Sequence, residues 1–217
     1  QKLPHFYTVF QQSSSTNYYN QHSIIIIMDF LSKANIAEIV GSFLFVTGIF
    51  AADGDFMQIC AALAVSACVT GATMNPAFTA VGHVNSGSND HVACLVTCVC
   101  QVAGAAVAWK LHEWMSGAKA KSGSGSSDVN VKECVAEVLG TFMFASGAAS
   151  CGSNWGAAVA LFTAMHAVGD VSSELNPALT ILRLIQNNGQ GNQGAGARVA
   201  SQIVGAYLAG HCAQYYK

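Results

Sequence analysis

Charge is scarce in this chain. Only 9% of its 217 residues are Asp, Glu, Lys or Arg, against about a quarter in a soluble domain. The formal net charge is -2, and the basic residues form no stripe. A nucleic-acid partner is excluded on that ground, because phosphate binding needs clustered Lys and Arg. Proline is nearly absent, with 3 residues. Two of them, Pro76 and Pro177, fall in one repeated tripeptide, Asn-Pro-Ala. There is no C-x-x-C pair and no Asn-x-Ser/Thr sequon. No nucleophile-base pairing, phosphate loop or metal-ligand spacing is visible, so no enzyme, no metal and no cofactor are expected. His83 and His91 flank a loop that could hold a metal, although polar loop histidines are the ordinary case.

What the chain has instead is apolar length. Hydrophobic residues make up 52% of it. Apolar runs recur at 34–52, 56–72, 91–109, 133–150, 155–169 and 198–213. Each is near the ~20 residues a helix needs to cross hydrocarbon, with those at 56–72 and 155–169 on the short side. The runs show no polar face, so a soluble helical protein is the weaker reading. The 8 Cys lie mostly inside these runs and read as small buried hydrophobes, not as a disulfide framework. Trp109, Trp114 and Trp155 lie near run ends, as interfacial anchors do. Residues 1–33 form a polar tail. Within it, residues 1–28 are rich in Ser, Gln and Tyr with no acidic residue, expected to be mobile or held by a partner. A Gly/Ser/Lys linker covers 116–131.

The chain also repeats itself. AEIVGSFLFVTG at 37–48 returns as AEVLGTFMFASG at 136–147, 99 positions on, with six of twelve residues identical. MNPAFT at 74–79 returns as LNPALT at 175–180, and QVAGA at 101–105 as QIVGA at 202–206, both 101 positions on. Three landmarks in one order at nearly one spacing indicate duplication, with repeats at 34–115 and 132–217. Each repeat holds three apolar runs, an odd number. The second therefore enters the membrane from the opposite side, giving an inverted pair with a site at the shared interface.

Asn-Pro-Ala has a clear local meaning. Asn caps a helix N-terminus well, and Pro suits the first helical position. The apolar residues that follow, 78–84 and 179–185, are too short to span and read as half-helices. Asn75-Pro76-Ala77 and Asn176-Pro177-Ala178 thus start two half-helices whose N-termini meet centrally. Each N-terminus carries roughly half a positive charge. Such a lumen hydrogen-bonds neutral molecules and repels cations.

Taken together, the paired Asn-Pro-Ala motifs, the Ala-Glu opening each half and Gln-x-x-Gly-Ala in each third run resemble the aquaporin (major intrinsic protein) family over 34–213. The resemblance implies an all-α membrane protein with six transmembrane helices and two re-entrant half-helices in two inverted repeats. It implies a pore in each protomer and a homotetramer in the lipid bilayer. It implies that Glu38 and Glu137 anchor the re-entrant loops. A buried carboxylate does need such partners.

One position departs from the family pattern. An arginine usually follows the second Asn-Pro-Ala and forms part of an outer constriction; here the residue is Leu179. Glu174 stands where the family has a small residue, and Arg183 or Arg198 is expected to pair with it or to supply a displaced barrier. His166 is the candidate constriction histidine if two residues are deleted, a strict count giving Ala164. Ser173 should offer its carbonyl or hydroxyl, and Phe56 or Cys60 is expected to face the constriction from the second run. With both termini cytoplasmic, as in the family, that side carries Lys2, Lys33 and Lys217. The other carries Lys110, Lys119, Lys121, Lys132, Arg183 and Arg198, so charge favours the reverse orientation or an organelle membrane. Two functions follow: a passive channel for water and small uncharged solutes, or an aquaporin-fold structural subunit of a larger membrane complex.

Overall fold

The computed structural model describes residues 32–117, 128–169, 171–172, 174–187, 189 and 192–214. Most of the N-terminal tail, most of the 116–131 linker and Ser173 lie outside these. Among the described residues the chain is all helical. These residues form eight helices, α1 (Lys33–Ala52), α2 (Phe56–Thr70), α3 (Pro76–Asn85), α4 (His91–Ser116), α5 (Val131–Cys151), α6 (Asn154–Val168), α7 (Pro177–Gln186) and α8 (Asn192–Ala213).

Side chains set the starts. Ser32 accepts from the Asn35 N–H, Asp55 from Met57 and Gln58, Asp90 from Ala93, Asn130 from Lys132 and Ser153 from Gly156. Each satisfies donors that a helix N-terminus leaves open. Three helices are long and apolar enough to cross a membrane: α1, α4 and α5, of 20, 26 and 21 residues. At 1.5 Å rise per residue, 20 residues cover about 30 Å, the thickness of a hydrocarbon core. α2 and α6 have 15 residues each, and α8 opens on a polar turn.

The two halves pack alike. α1 packs on α2 and α4, as α5 packs on α6 and α8. α3 meets α4 and α8, as α7 meets α8 and α4. The remaining contacts, α2 with α6 and α3 with α7, each join an element to its own counterpart. Exchanging the halves therefore maps the packing onto itself. The glycines of Gln-x-x-Gly-Ala explain how closely the long helices approach. A Cβ on Gly104 would lie 2.2 Å from the Ile39 carbonyl oxygen, and one on Gly205 would lie 2.4 Å from that of Val138.

The largest apolar core draws on both halves, with Phe45, Leu63, Met74, Phe144, Leu161 and Leu175 among its members. α4 runs seven residues beyond the apolar run at 91–109. That extension places Trp109 inside the helix, buried against Val46, Ala105, Ala108 and Leu182. Trp109 is thus a core residue and not an interfacial anchor, whereas Trp114 and Trp155 are exposed. The outward surfaces carry further exposed apolar side chains, including Val65, Val69, Leu95, Val107, Leu139 and Val159. Cys60 and Cys100 are buried, Cys68 and Cys151 are exposed, and all eight cysteines are free thiols.

Candidate functional site

Two short helices begin at the same place. Pro76 opens α3 and Pro177 opens α7, and each follows an Asn N-cap in extended conformation. The Asn75 side chain accepts from the Ala77 N–H at 3.0 Å, and that of Asn176 from the Ala178 N–H at 2.9 Å. The amide nitrogens turn the other way and cross between halves. Asn75 Nδ2 donates to the Leu175 carbonyl at 3.0 Å, and Asn176 Nδ2 to the Met74 carbonyl at 2.8 Å. Each cap is thereby fastened to the loop that precedes the other. Both Asn are buried.

The accepting residues are held unusually. Met74 has φ of 56° and Leu175 φ of 49°, the left-handed region that side chains rarely enter. Both are almost fully buried. This twist turns each carbonyl towards the opposite Asn while the N–H points back to a carboxylate of its own half. Glu38 accepts from the Thr73 N–H at 2.7 Å and the Met74 N–H at 2.8 Å. Glu137 accepts from Glu174 N–H at 3.1 Å, Leu175 N–H at 2.9 Å and the Ser172 hydroxyl. Backbone strain of this kind costs about 1–3 kcal/mol per residue. Charge-assisted bonds to a buried carboxylate are the strong class that can hold it.

The third landmark completes each cluster. Gln101 Nε2 donates to Glu38 at 2.9 Å and Thr79 at 2.8 Å. Gln202 Nε2 donates to Glu137 at 2.8 Å and Thr180 at 2.9 Å. Glu, the Asn-Pro-Ala loop with its Thr, and Gln converge in both halves. Sequence reasoning used the two glutamines as landmarks and missed what they do. The signal was their identical offset from the Asn-Pro-Ala motif.

A cavity of about 990 Å³ opens beside this junction. Its apolar wall includes Phe50, Phe56, Ile59, Met165, Leu179 and Leu182. Its charged edge holds Glu133, Glu174, Arg183 and Arg198. Leu179, in the first turn of α7, puts an isobutyl group on the wall. Arg183 lies one turn further along, 2.6 Å from Glu174. Arg198 bonds Glu133 at 2.8 Å and stands 3.7 Å from Glu174. Glu174 also accepts from the Thr180 hydroxyl.

The other expected residues divide. Phe56 lines the cavity; Cys60, one turn on, is buried in the core, and Ile59 lines the wall beside Phe56. The structure takes His166 away from the cavity. α6 presents Leu161 and Met165 there, with Gly169 just past its end, four residues apart, and His166 lies about 100° round the helix from Met165. His166 is exposed, its Nδ1 3.0 Å from the Phe162 carbonyl oxygen and its ring edge-on to Phe56. Ala164, the strict-count alternative, is fully buried. Ser173 lies outside the described residues. His83 Nε2 and His91 Nδ1 approach to 2.9 Å, but no group of three metal-ligating side chains forms among the described residues. No protein-family model matches the chain, and no curated protein sequence matches it.

Proposed function

We propose that this chain is a passive membrane channel of the aquaporin type, passing water and small uncharged solutes between α3 and α7. The observation that carries the reading is the reciprocal pairing of Asn75 with Leu175 and Asn176 with Met74. It joins the N-termini of two half-length helices at one point. Two such termini present partial positive charge to anything passing between them, which disfavours cations while leaving neutral molecules free. Each Asn amide nitrogen carries a second hydrogen, and no protein acceptor takes it among the described residues. That hydrogen is a donor for a passing water.

The exposed apolar perimeter supports a bilayer as the medium. In the proposed arrangement α1, α2, α4, α5, α6 and α8 cross the membrane, and α3 and α7 re-enter from opposite sides. The halves are then an inverted pair, and protomers assemble as a tetramer. Leu179 makes the wall beside the junction apolar where a fixed cation would otherwise narrow it.

Osmotic shrinkage of proteoliposomes tests the reading. Filling the cavity with Leu179→Trp should slow the wild-type rate towards that of empty liposomes. A wild-type rate equal to that of empty liposomes would favour the alternative, a structural subunit of a larger membrane complex.

A further inference from the structure

The pseudo-symmetry of the two halves does not extend to the cavity mouth. Glu133, Glu174, Arg183 and Arg198 gather at the cavity mouth. Their counterparts in the first half, at the offsets of 99 and 101, are Ala34, Thr73, Gly82 and Thr97. None is charged. The scaffold does not need these charges. Thr73 gives its backbone N–H to Glu38 just as Glu174 gives its own to Glu137. The Glu174 side chain is therefore an addition to the shared design, placed where the cavity opens.

A buried carboxylate at such a mouth is costly and draws cations unless it is compensated. Glu174 is only 8% exposed. Its partners are Arg183 at 2.6 Å, Arg198 at 3.7 Å and the Thr180 hydroxyl. Arg198 is shared, since its closer partner is Glu133. Asp128 also lines the cavity and is itself engaged in an interaction. Arg183 is the nearer counter-charge to Glu174, and its side chain is 63% exposed, so a solute entering the cavity meets it.

We propose that Arg183 is a specificity-determining residue: by neutralising Glu174 it keeps the mouth from concentrating cations, although no cation stands at Leu179. The inference rests on the channel reading above. Without Arg183 the mouth becomes more anionic by one unit. A charge acting over a few ångströms in a partly desolvated site changes local cation occupancy by about tenfold or more.

The test uses the full chain in proteoliposomes, with water flux read by osmotic shrinkage and potassium leak by a potential-sensitive dye. Arg183→Ala should raise potassium leak by about tenfold or more relative to the water flux of the same proteoliposomes. Arg183→Gln supplies the same charge change should Arg183→Ala fail to reconstitute. Arg183→Ala combined with Glu174→Gln should return the leak to the wild-type level, because the charge balance is restored. An unchanged leak in the single variant overturns the proposal. So does a leak that persists in the double variant, which would make Arg183 a barrier in its own right. Absent water flux in the wild type overturns the channel reading and this proposal with it.

Discussion

Asn75 reaches across the molecule to Leu175, its amide donating to the Leu175 carbonyl at 3.0 Å. Asn75→Asp replaces the donor with an oxygen that faces a carbonyl. The bond is lost and repulsion added, at a cost of about 1–3 kcal/mol. Thermal unfolding in detergent should show the variant melting below wild type. An unchanged melting temperature would mean that the junction contributes nothing to stability.

Glu137→Gln should be more damaging than its small change in shape implies. Oε1 takes the Ser172 hydroxyl and the Glu174 N–H, and Oε2 takes the Leu175 N–H and Gln202. A Gln amide in either orientation sets an NH2 group against two donors. Destabilisation of at least about 2 kcal/mol is expected from the orphaned buried groups. The loop preceding α7 should also become a protease target in the folded protein. Full resistance to cleavage at wild-type stability would contradict the anchoring described here.

Leu175 holds φ of 49° while fully buried. Leu175→Ile keeps the volume but adds β-branching, which the left-handed region tolerates poorly. Leu175→Met keeps an unbranched Cβ and should cost less than about 1.5 kcal/mol. The Ile variant should therefore melt below the Met variant. The reverse order would show that packing, not backbone conformation, governs this position.

His166 is exposed behind Phe56 and does not line the cavity. His166→Ala should leave osmotic water flux within about twofold of wild type, since it changes no group on the wall. A tenfold change in flux would return this histidine to the pathway.

The helices and their junction were legible because their signals are local. Asn-Pro reads as a cap and a first helical residue wherever it stands, and the duplicated AE…G…F…F…G segment announces two copies of one packing unit. The anchoring role of Glu38 and Glu137 was expected from the resemblance, and a carboxylate in an apolar run does need donors. Four features were not legible. Met74 and Leu175 adopt a left-handed conformation without glycine or asparagine to signal it, because tertiary bonds impose it. Gln101 and Gln202 meet their glutamates only after two distant helices pack. His166 was counted towards the site by separation from Asn176, and a one-residue difference in helix phase turns a side chain by about 100°. Trp109 failed as an anchor because it packs with Val46 and Leu182, which lie far from it in the chain.

The measurement that tests the central claim most directly is stopped-flow shrinkage of proteoliposomes holding the wild-type chain, with Asn176→Asp beside it. Shrinkage well above the empty-liposome rate, and reduced in Asn176→Asp, is the predicted result. A wild-type rate no faster than empty liposomes would contradict the claim that water passes between the two half-helices.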